Sequence, residues 1–132
     1  MGDKLAIWPV EERSSGILLE TLESCAAARN VVTRRFDKII THVADHLSFV
    51  RAGLKDVFTI TCISDKDITA AGRYYKALAE GKSADVLLEI LAEAPIFEHY
   101  HQASDSHDKI EERSVEMVAD VIWDTVMKMG GI

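Results

Sequence analysis

The chain has 132 residues, 48% of them hydrophobic and 28% charged, with only 2 prolines and 7 glycines. That is the composition of an ordered globular protein, long enough for one continuous core. Its 22 acidic residues against 15 basic ones give a net charge of −7, which disfavours a broad electrostatic grip on nucleic acid or on an anionic membrane.

Residues 1–14 read as irregular, and residues 1–10 lack the basic-then-apolar order of a signal peptide. Apolar residues then recur at steps of four and three from Leu18 through Leu22, Cys25, Val32, Phe36, Ile39 and Val43 to Leu54, with Arg29 as the one polar position and a slip in phase before Leu47. This seam predicts a single helix over 15–54, about 60 Å long, which must bend, break or project. Gly53 is a natural end or kink. The stretch DVFTITCI, 56–63, has the β-branched and aromatic content of a strand, yet no second β-rich stretch offers it a partner, so it is expected to be helical or irregular.

Ser64 and Asp67 form a capping-box pattern opening a helix that runs through Tyr74, Tyr75 and Leu78 to Gly81. Ser83 caps a helix over 84–94 that Pro95 interrupts, and 96–101 begins a further short turn or helix. Ser104 and Asp105 supply the cap for a last helix over 106–129. The expectation is an all-α protein: one helical-bundle domain over 1–132, with four or five helices and one long heptad-patterned helix as its spine. A seam that long on a domain this small leaves apolar surface uncovered, which predicts a homodimer or a helical protein partner. Cys25 and Cys62 offer neither a disulfide framework nor a metal spacing, and no apolar run is long enough to cross a bilayer. A cytoplasmic protein without membrane insertion is expected.

The chemistry-bearing residues concentrate near the end of the chain. Asp108, Glu112, Glu116, Asp120 and Asp124 recur every fourth position, which on a helix makes either a solvated acidic face or the carboxylate half of a metal site. A helical wheel puts Ile110, Met117, Val118, Val121 and Ile122 on the core side and turns Glu112, Glu116 and Asp120 away from it. His107 and Glu111 fall on the apolar side, one turn apart. A carboxylate there needs a partner, which could be His107, Arg29 or a divalent ion. His42 and His46 form a second pair with the spacing of a metal-binding helix face. If the first and last helices run antiparallel with their far ends aligned, the two pairs meet in an inter-helix His/carboxylate site. Glu98 and His101 supply one Glu-x-x-His pair where a di-metal bundle needs two, and no glycine-rich phosphate loop or nucleophile elbow is present.

The segment HDKIEERSVEMVADVIWDTVMK, 107–128, carries Glu116-Met-Val-Ala-Asp120 preceded by Ile110-Glu111-Glu112-Arg113. It resembles the closing helix of the phosphate-uptake regulator (PhoU-like) family. The resemblance implies a bundle of three-helix units, metal ions held by Glu112, Glu116 and Asp120, and regulation of phosphate transport through protein contacts. A second copy of the spacing is absent, with Thr41 and Asp45 standing where it would fall. Two functions follow as expectations. One is a non-enzymatic regulatory or adaptor protein acting through protein contacts. The alternative is a metal-binding bundle, a metal-dependent hydrolase or metal sensor, with a divalent ion between helices.

Overall fold

Lys4–Pro9, KLAIWP, form strand β1 in the computed structural model, which describes residues 2–9, 14–36, 45–95, 104, 106, 108 and 110–131. Leu5, Ala6, Ile7 and Trp8 are all buried. Successive strand residues point to opposite faces, so Leu5 and Ile7 enter one core while Ala6 and Trp8 enter another. Burial on both faces is why this strand reads as an unbroken apolar run rather than an alternation.

Helix α1 (Ile17–Ala28) carries the chain to strand β2 (Thr33–Arg35), which pairs parallel to β1 with Leu5 opposite Thr33 and Ile7 opposite Arg35. The end of α1 is a Schellman turn. Asn30 takes a left-handed φ of 59°, and the N–H groups of Asn30 and Val31 return to the carbonyls of Ala27 and Ala26. The start of α1 is closed from far away in sequence: the Asp56 carboxylate accepts from the N–H of Leu18 at 2.7 Å and of Leu19 at 3.2 Å. Gly16 makes room for it, since a Cβ there would lie 2.4 Å from that carboxylate.

Helix α2 (His46–Arg51) precedes strand β3 (Phe58–Ile63), which runs antiparallel to β1 from Lys4 opposite Ile63 to Pro9 opposite Phe58. The strand order is β2-β1-β3. Helices α3 (Asp65–Ala79) and α4 (Ala84–Ala92) pack on one face, where Ala6, Trp8 and Ile63 meet Ala71, Tyr74, Ala77 and Ile90. On the other face α1 and α5 (Glu112–Met129) close over Leu5, Ile7 and Cys62 with Leu19, Leu22, Ala26 and Val121. The result is a three-layer α/β sandwich.

The expected all-α bundle is overturned by this sheet. DVFTITCI does form a strand, and its partner is KLAIWP, inside the region read as irregular. The helix expected over 15–54 is divided into α1, a turn at Asn30, β2 and the short α2, with 37–44 outside the described residues. Its heptad spacing is fortuitous. Leu22 and Cys25 are buried on α1, whereas Phe36 stacks on Trp8 across the sheet's other face. The three-helix units implied by the PhoU-like resemblance therefore give way to a middle layer of strands.

Downstream, the helix boundaries agree better. Ser64 and Asp67 form the predicted capping box, with the Ser64 N–H 2.7 Å from the Asp67 carboxylate. Ser83 caps α4, which stops at Ala92, before Pro95. The last helix begins at Glu112 rather than at 106, so Ser104 does not cap it. Asp105 and the segment 96–101 lie outside the described residues.

Replacing Asp56 by alanine removes the only side-chain cap described at the start of α1 and is expected to cost about 1–2 kcal/mol. Urea unfolding would read this as a lower midpoint at unchanged slope. A midpoint equal to that of the unsubstituted protein would show that the contact contributes nothing.

Candidate functional site

Open α/β sheets gather ligands outside the carboxyl ends of their parallel strands, next to a helix N-terminus that can receive an anion. In this fold that place lies beyond β1 and β2, at the start of α1. It is occupied by the chain's own Asp56 carboxylate, which takes the N–H groups an external anion would use. Arg35, the last residue of β2, is likewise engaged: its guanidinium forms a fork with Glu23 at 2.8 and 2.5 Å and donates to the Ser14 carbonyl at 2.8 Å. Behind them Trp8, Phe36 and Tyr75 stack with centroids 5.2 and 6.1 Å apart.

At the other end of β1 lies a cleft of about 710 Å3, lined among others by Gly2, Asn30, Ser64, Lys66, Glu111 and Arg113. The Ser114 hydroxyl donates to the Gly2 carbonyl at 2.8 Å and ties α5 to the strand's start. The cleft mixes both signs of charge, with Lys4 bridging Asp3 and Asp65 at 3.1 Å each. Cys62 sits beneath, its thiol donating to the Ser114 carbonyl at 3.6 Å. Burial, with the Glu111 charge nearby, raises its pKa, so it is a packed thiol rather than a ready nucleophile.

The most distinctive surface is the outer face of α5. Ser114, Val121 and Thr125 are buried toward the sheet, as an amphipathic helix requires. Yet Val115, Ala119, Ile122, Val126 and Met129, at steps of four and three, are all exposed, and Trp123 beside them is 64% exposed. The helix is thus apolar on two adjoining faces and covered on one. Glu112 and Glu116 border the exposed row, and Asp120 lies beyond them next to Trp123. Arg29, at the end of α1, reaches Asp124 at 2.5 Å and Asp120 at 3.3 Å, which locks α1 to α5 and holds the Asp124 carboxyl below its ordinary range.

The residues singled out from sequence are distributed as follows. Glu112, Glu116 and Asp120 are exposed on the acidic border of α5, and Glu111 precedes the helix in the cleft wall. His46 is buried on α2 with Nδ1 2.8 Å from the Thr59 hydroxyl. Thr59 and the cleft residue Ser64 are separated by the length of β3, about 17 Å, so His46 and Glu111 do not come together. His42 and His107 lie outside the described residues. Among the described residues no group of three or more His, Cys, Asp or Glu is placed to hold a metal ion. Arg29, offered as a partner for Glu111, serves Asp124 instead. The exposed row on α5 is not evident from the sequence, where Ile122 and Ile110 fall on the expected core side although both are exposed. Its heptad spacing was available there, hidden because Met117, Val118 and Val121 already account for a core face.

Fold and surface together define a three-layer α/β protein with one helix apolar beyond its core contacts. No protein-family model matches the chain, and no curated protein and no solved structure matches it. No helix among the described residues is long and apolar enough to cross a membrane.

His46 provides a pH test. Burial lowers its pKa from the ordinary 6.5, so the folded protein holds a neutral ring while the unfolded chain takes up a proton first as the pH falls. Stability from this group is complete above pH 6.5 and declines as the pH drops below it. The variant His46→Asn, which keeps a polar atom near Thr59, is expected to show a shallower acid decline in thermal melts. Parallel declines would assign the acid sensitivity elsewhere.

Proposed function

We propose that this is a non-enzymatic regulatory or adaptor protein that acts by docking a helical segment of a protein partner on the outer face of α5. The observation that carries the reading is the exposed row Val115, Ala119, Ile122, Val126 and Met129, extended by Trp123. Scattered exposed apolar residues need no explanation, but a contiguous row with the spacing of a coiled-coil seam does. A partner helix laid along that row would bury it in the manner of helix-in-groove recognition.

The uses found for the polar groups favour the same reading. Asp56, Arg35, His46 and Arg29 each hold one element of the fold to another. The two cysteines are buried as free thiols, which suits a reducing compartment such as the cytoplasm. The partner expected from a long heptad helix over 15–54 loses that basis, since the helix does not exist. The uncovered apolar seam lies on α5 instead.

The test is a photo-crosslinking amino acid at Trp123, expressed in the native host, compared with the same probe at exposed Lys66 on the cleft. An adduct specific to Trp123, whose crosslinked peptide lies in a helix of one protein, is expected. The double variant Ile122→Asp/Val126→Asp should abolish it with a stability change within about 0.5 kcal/mol, because both side chains are exposed. An adduct that survives the double variant, or none above the Lys66 control, would refute the reading.

A further inference from the structure

The two borders of the exposed row on α5 differ. On one side it runs into half-buried Val118 and buried Thr125, against the body of the protein. On the other it is flanked by Glu112 and Glu116 along the open side, while Asp120, one turn further, is turned toward Arg29 of α1. A helix lying in the row therefore meets carboxylates along its outward border. Asp120 shares Arg29 with Asp124, but among the described residues no cation pairs with Glu112 or Glu116. The basic residues of α5, Arg113 and Lys128, stand near its two ends.

We propose that the helix docked on α5 is amphipathic with a basic flank, its apolar seam bordered by Lys or Arg, and that it is not a second copy of this chain. The inference rests on the docking reading above and adds the chemistry of the partner. Border charges select partners by repulsion as well as attraction. In an antiparallel two-fold pairing of α5 with itself each border meets the same border of the other copy, which carries Trp123 and Met127 in its second half and offers no Lys or Arg to Glu112 or Glu116. Two chains of net charge −7 repel at longer range as well. A partner with Lys or Arg on that border supplies the attraction that self-pairing lacks. Trp123, lying between the apolar row and the acids, offers an indole face on which a partner arginine can stack.

The probes are two designed helical peptides with the same leucine and isoleucine seam, one carrying lysine and the other glutamate at the flanking positions. Each is titrated by fluorescence anisotropy with the full chain and with Glu112→Lys/Glu116→Lys. The full chain is expected to prefer the lysine peptide by about tenfold, and the charge-reversed variant to prefer the glutamate peptide. Raising the salt should shrink both preferences. Equal affinity of the full chain for the two peptides, abolished by Ile122→Asp/Val126→Asp, overturns the basic flank and leaves the docking face standing. Failure of both peptides to bind overturns both proposals. A dimer in sedimentation velocity that Ile122→Asp/Val126→Asp dissociates overturns the present one in favour of self-association.

Discussion

Strand β1 is paired along both edges and packed on both faces, and each other layer of the molecule is defined by its contact with it. Its parallel partner β2 requires a crossover on one face, which α1 supplies, and its antiparallel partner β3 delivers the chain to α3. Full burial of side chains such as Leu5 and Ile7 is worth about 1.5–3 kcal/mol each. Exposed ion pairs such as Arg73 with Glu93 contribute about 0–1 kcal/mol. The apolar sandwich around β1 therefore dominates, and the polar contacts adjust how the helices sit on it.

Those contacts share a pattern. Asp56 joins the approach to β3 with the start of α1, Arg29 joins the end of α1 with α5, and Arg35 joins β2 with Glu23 on α1. Helix α1 is thus fastened near its start, along its length and at its end. The charged groups Asp56, Arg29 and Arg35 are spent on this fastening, and the outer side of α5 is left apolar.

Several features were legible in the sequence because they depend on local chemistry. The capping box at Ser64 and Asp67, the serine cap at Ser83 and the core side of the last helix at Val121 follow from short-range hydrogen bonding and helical period. The sheet was not, because its central strand is apolar at every position after Lys4 and so lacks the alternation that marks a half-exposed strand, while β2 is only Thr33–Arg35. With β1 unmarked in the sequence, the strand propensity of FTITCI has no visible partner. Likewise the break in the apparent long helix hangs on Asn30, a residue whose left-handed conformation is tolerated rather than announced. The acidic ladder was visible, but its neighbour across the helix surface, the exposed row, looked like surplus core.

The bond from Ser114 to the Gly2 carbonyl spans 112 residues, and the Arg29 to Asp124 pair spans 95. Contacts of such sequence separation bear a large loop-closure cost before they are rewarded, which slows folding. During synthesis KLAIWP emerges well before α5, the helix that completes its second cover. Until α5 is made, Leu5 and Ile7 lack part of their lid, so the strand stays incompletely covered while the chain from β1 to α5 is synthesised. The nascent protein's dependence on chaperones should accordingly be set by how fast the ribosome reaches Val121 rather than by the stability of the finished fold.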